Sequence, residues 1–121
     1  MVPFQTHVEV TLGVGTEGQN GAFQVPKDKR LVIEYISGEG FVPAPQHIIF
    51  GLICTASGNQ VRHYLGSNTV GSFGGQSYFW NSGMVKFYAD PGTIVTLRVD
   101  RDHPENTAIV RMSLSGYLEK V

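Results

Sequence analysis

Between Val85 and Arg101 the chain alternates apolar and polar residues with a period of two, and this constrains its fold more than any other feature. Val85, Phe87 and Ala89 alternate with Lys86, Tyr88 and Asp90; after a break, Val95, Leu97 and Val99 alternate with Thr96, Arg98 and Asp100. Successive side chains leave opposite faces of a pleated strand, so the pattern predicts two strands, each half buried on a core. Between them Asp90-Pro91-Gly92-Thr93 reads as a turn. Proline pre-sets φ at its second position and glycine accepts a positive φ at its third. The expected product is an antiparallel hairpin.

The same period recurs along the chain. Phe4, Val8, Val10 and Leu12 oppose Gln5, His7, Glu9 and Thr11 in a first strand over Val2 to Leu12. Gly13 to Gly21 reads as a loop, and Phe23 to Val25 as a short strand stopped by Pro26, which lacks the amide hydrogen of a ladder. Arg30 to Ser37 and Ile48 to Thr55 are apolar on both sides, as expected of central strands. Gly38 to Pro45 reads as the loop between them. Gln60 to Leu65 turns Val61, His63 and Leu65 one way and Arg62 and Tyr64 the other, and Thr107 to Leu118 is a last strand. Gly66 to Gly83, rich in glycine, serine and asparagine, reads as the longest irregular segment. No window of about 11 residues or more carries the 3.6-residue period of a helix. The expectation is an all-β antiparallel sandwich of eight or nine strands in one domain over residues 1–121, and the strand count fits a jelly roll.

Composition narrows the function classes. Nine basic and ten acidic residues give a formal charge of −1 and a charged fraction of 16%, against about a quarter in ordinary domains. With no surplus of lysine and arginine to displace counterions, nucleic acid is not an expected partner. Residues Met1 to His7 lack the features of a signal peptide, and no apolar run approaches the roughly 20 residues of a membrane helix. A soluble, intracellular protein with no membrane span is expected, unless it is exported by another route. Cys54, the one cysteine, lies in an apolar run and reads as a small buried hydrophobe.

The usual chemistries lack their parts. His7, His47, His63 and His103 are scattered, and no metal site is expected from them. Asp100, Asp102 and Glu105 put three carboxylates in one loop, which would suit calcium, but the spacing is not that of an EF-hand and Arg101 stands among them. A solvated turn is the expected reading. No serine occupies a nucleophile elbow, and the glycines of Gly71-Ser72-Phe73-Gly74-Gly75 precede neither a lysine nor a helix. No enzyme and no cofactor are expected.

Three segments resemble a group of small bacterial β-sandwich proteins of unassigned function. They are Phe23-x-Val25-Pro26-x-x-Lys29-Arg30-Leu31-Val32-Ile33-Glu34-Tyr35, Tyr88-Ala89-Asp90-Pro91-Gly92-Thr93 and Ser115-Gly116-Tyr117-Leu118. The resemblance implies the sandwich fold and carries no site residues with it.

The strongest functional signal lies in Asn68 to Asn81, especially Asn68, Gln76, Tyr78, Trp80 and Asn81. A sugar presents an apolar C–H face and a rim of hydroxyls, so its site needs an aromatic plate beside amide or carboxylate hydrogen-bonders. The expected function is a non-enzymatic recognition module, with carbohydrate as the ligand this segment suits, held by loops at one end of the sandwich. The plainer account makes Tyr78, Phe79 and Trp80 core or interface residues with Trp80 turned inward. The alternative function is a structural or assembly subunit that forms a homo-oligomer through a low-charge sheet face.

Overall fold

A computed structural model describes residues 1–121. The chain forms nine strands and no helix: β1 (Val2–Leu12), β2 (Gly18–Gln24), β3 (Lys29–Pro43), β4 (Ile48–Ala56), β5 (Asn59–Leu65), β6 (Asn68–Phe73), β7 (Gln76–Ala89), β8 (Ile94–Arg101) and β9 (Ala108–Lys120). They make a five-stranded sheet in the order β1-β9-β3-β7-β6 and a four-stranded sheet in the order β2-β8-β4-β5, every pair antiparallel. Leaving out β6, the first strand pairs with the last, the third with the seventh and the second with the eighth, while β4 and β5 form the inner hairpin. That nesting is the jelly-roll order. The strand alternation read from sequence therefore gives the fold class.

It does not give the strand partners. Val85 to Ala89 belongs to β7 in the five-stranded sheet and Val95 to Val99 to β8 in the four-stranded one, so the expected hairpin is an arch that crosses between sheets. The turn itself forms as read. Gly92 has φ of 73°, and the Thr93 N–H donates to the Asp90 carbonyl at 3.2 Å. A proline followed by a positive-φ glycine makes a type II turn, whose twist opposes that of a paired ribbon; two-residue hairpins use the mirror-image turns. The two strands consequently part.

Three expected loops contain strand. β3 runs on through Gly38 and Gly40 to Pro43. Those glycines mark close approach: a Cβ at Gly38 would stand 2.5 Å from Asn81 Oδ1, and one at Gly40 2.6 Å from Ile48 Cδ1. β2 starts at Gly18, inside the expected first loop. Gly66 to Gly83 holds β6 and the first half of β7, joined at Gly74-Gly75 with φ of 57° and 80°. Two successive positive φ values are the mark of a tight hairpin, and Gly-Gly between alternating runs was a legible signal for one.

The core fills the space between the sheets. One cluster centres on Leu12, Phe50, Leu97, Val99 and Val110, the other on Leu31, Ile33, Leu52, Val95 and Leu114. Cys54 is buried in the second, and burial pushes its thiol pKa up to about 11.

At one end of the sandwich Arg101, also buried, donates from Nε to Thr16 O at 2.9 Å and from Nη1 to Gln46 Oε1 and Glu105 O, both at 3.2 Å. From Nη2 it donates to Gly13 O at 2.9 Å and Asn106 O at 2.8 Å. One side chain thus ties together the β1–β2, β3–β4 and β8–β9 loops. The loop considered for calcium is organised around this cation. Asp100 accepts from Arg98 and Arg62, while Asp102 accepts from the His47 N–H at 2.8 Å and lies 3.1 Å from His47 Nδ1. No group of three His, Cys, Asp or Glu side chains is arranged to hold a metal ion, and no helix is long and apolar enough to cross a membrane.

Candidate functional site

The outer face of the five-stranded sheet is built from the polar halves of four alternating strands. Register places them in rows. His7 of β1 is opposite Ser113 of β9, which is opposite Ser37 of β3, which is opposite Ser82 of β7. Three adjacent serines leave this row low, and it spans three inter-strand steps, about 14 Å. On one side runs the row Gln5, Ser115, Tyr35 and Met84; on the other runs Glu9, Arg111, Glu39, Trp80 and Asn68. The result is a trough with a hydroxyl floor between taller walls. Two shallow hollows of about 350 and 360 Å³ lie along it and share His7, Ser37 and Ser113.

The walls supply different chemistry. Tyr35 stands half exposed beside one hollow, and Trp80, 56% exposed, lines the other. Arg111 lies between two carboxylates, donating from Nε to Glu9 Oε2 at 2.8 Å and from Nη1 to Glu39 Oε1 at 3.3 Å. The bond to Glu9, then that to Glu39, raises the Arg111 pKa above its ordinary value. Its guanidinium also lies 5.8 Å from the centroid of the Phe41 ring, within cation–π range. Carboxylate oxygens, a guanidinium and serine hydroxyls, flanked by aromatic rings, can bind a polyhydroxylated ligand through both its rim and its face.

The five residues singled out from sequence divide. Trp80, Tyr78, Gln76 and Asn68 share this outer face, on strands and not in end loops. Tyr78 makes edge contacts with Phe41 at 4.9 Å and Phe73 at 5.5 Å between ring centroids, and with Gln76 and Phe41 it borders a further hollow of about 360 Å³. Asn81 is set apart. It shares the inward face of β7 with buried Phe79, is itself 7% exposed, and turns its carboxamide over Gly38 on the core side, where neither polar atom has a protein hydrogen-bond partner. The expectation that Trp80 points inward is also corrected: Phe79 is the inward residue of the aromatic run, at 4% exposure. In three consecutive strand residues the middle one faces opposite to its neighbours, and the register of β7 on β3 puts Phe79 on the core side.

His7, Tyr35, Ser37, Glu39, Arg111 and Ser113 were not singled out from sequence. They lie on three strands far apart in the chain: His7, Arg111 and Ser113 are the polar half of an ordinary alternation, Tyr35 and Ser37 end a run read as apolar on both sides, and Glu39 falls in an expected loop. Strand order alone collects them. No family model matches the chain, and no curated protein sequence is significantly similar to it.

Proposed function

We propose that the protein is a non-enzymatic recognition module that holds a neutral oligosaccharide across the outer face of its five-stranded sheet. The observation that carries this reading is the serine-floored trough between Tyr35 and Trp80. Trp80 and Tyr35 stack on pyranose C–H faces, while Ser37, Ser113, His7 and Glu39 exchange hydrogen bonds with hydroxyls. Asn68, opposite Trp80 on β6, extends the polar wall.

A glycan array followed by titration calorimetry tests it. Trp80→Ala and Tyr35→Ala should each weaken the best neutral glycan at least tenfold, about 1.4 kcal/mol, with the melting transition retained. Ser37→Leu, which raises the floor, should abolish binding. Absence of any glycan binding, or binding indifferent to all three changes, rejects the reading.

A second reading, a homo-oligomer that buries the same face, rests on Met84. It is 86% exposed directly opposite Tyr35, beside the serine row. Light scattering that shows a stable oligomer dissociated by Met84→Ser would favour it.

A further inference from the structure

The five-stranded sheet lacks a strand along half of one edge. β6 pairs with β7 only from Phe73↔Gln76 to Asn68↔Trp80. From Asn81 to Ala89, β7 is paired on its β3 side alone, and no backbone hydrogen bond outside the ladders involves these residues. The gap is bounded. Asn68 closes one end; at the other, the Asp90 N–H donates to Thr55 O at 2.8 Å, and the Asp90 carboxylate accepts from the Ser57 N–H at 2.6 Å. Nine residues of free edge remain between Trp80 and Asp90, about 30 Å of strand.

The layer below shows the same deficit. β5 is the outermost strand of its sheet, beyond β4, and is joined to β6 through Gly66 and Ser67, so it lies under the gap. Val61 and His63 face inward, opposite buried Cys54 and Leu52, yet Val61 is 46% exposed. Above them Val85 and Phe87 are only half buried, with the His63 ring stacked on Phe87 at 3.9 Å. The other side of the sandwich is closed: there β1 and β2 approach so nearly that a Cβ at Gly21 would run into Val8 and Val10.

We propose that this half-lane is a strand-addition site for an extended segment of a partner polypeptide, antiparallel to β7 and in line with β6, with apolar residues at alternate positions. The unpaired N–H and C=O groups of β7 supply the ladder, as in other cases where a sheet edge accepts a strand. The segment's apolar side chains cover Val61, His63, Val85 and Phe87. Its polar side chains lie on the outer face beside Ser82, Met84 and Lys86, where an acidic residue next to Lys86 is favoured. The lane fits one strand and not a second sandwich. A second copy pairing through its own β7 would bring the β4 packed beneath that strand into the space β5 occupies.

The test uses the full chain and a synthetic nine-residue peptide of alternating valine and threonine with one glutamate at a central outward position, against a scrambled control. Amide exchange across residues 81–89 should slow on saturable peptide binding. Val85→Lys, which puts a charge into the half-open seam, should weaken binding at least tenfold. Lys86→Glu should weaken it several-fold and restore it to a peptide carrying lysine in place of glutamate. The proposal is overturned if the scrambled peptide binds equally, or if the Lys86→Glu preference does not reverse. It is equally overturned if these amides are already protected in a peptide-free dimer, because a second copy then fills the lane.

Discussion

At the scale of the residue, Arg101 shows how a polar side chain becomes structural. From the sequence it stands among three carboxylates in a solvated-looking loop, yet it is 4% exposed and spends all its donors on four main-chain carbonyls and Gln46. Burial lowers its pKa, and the bonds it donates compensate the desolvation. Arg101→Met keeps much of the side chain's bulk but takes the donor from Thr16 O, Gln46 Oε1 and Asn106 O, while Gly13 O and Glu105 O keep the Thr16 N–H and the Gln46 amide, so urea unfolding should show a loss of about 3 kcal/mol or more. Arg101→Lys should recover only part of it, because an ammonium cannot reproduce the planar fork of five N–H groups. Trp80 and Phe79 make the complementary point. Composition marks both as aromatic, and only the parity of β7 on β3 decides which one meets solvent.

Among the elements, the Asp90-Pro91-Gly92-Thr93 turn decides most. It sends β7 and β8 into different sheets, and the Gly92 N–H bonds to the Val25 carbonyl at 3.2 Å, anchoring the turn on the end of β2. Space beside Gly92 is adequate, since the nearest atom to a Cβ there would be Lys27 Cγ at 3.7 Å. The cost of Gly92→Ala is therefore the backbone's own: φ of 73° disfavours a Cβ by about 1–2 kcal/mol. Thermal or urea melts should show a loss of that size with the strand signal in circular dichroism unchanged. A far larger loss would mean that the arch is held by contacts other than its dihedral angles.

For the whole molecule, acid response follows from where the carboxylates lie. The Asp100 carboxyl is held below the usual range chiefly by hydrogen bonds from Arg98, with Arg62 assisting, and that of Asp102 by the His47 N–H. A group whose folded pKa is depressed stabilises the fold above its unfolded value, about 3.9 for aspartate, and that stabilisation is lost as pH falls through the folded value. The urea midpoint should therefore hold steady near neutrality and drop below about pH 4. Asp100→Asn should lower stability at pH 7 and shrink the acid-dependent drop. A drop of unchanged size would show that Asp100 is not part of the acid response.

The sequence by itself determined that this chain makes layered sheets. Alternation in β1, β5, β8 and β9 assigns each side chain to core or surface, because consecutive residues of a strand must face opposite ways whatever lies beside them. Which strands are neighbours was decided only in the folded molecule. Pairing depends on contacts between residues as distant as His7 and Ser113, which no local period encodes. The trough and the unfilled edge are both products of that pairing. The first gathers the polar halves of four separate strands; the second exists because β6 ends after six residues while β7 continues for nine past its last pair.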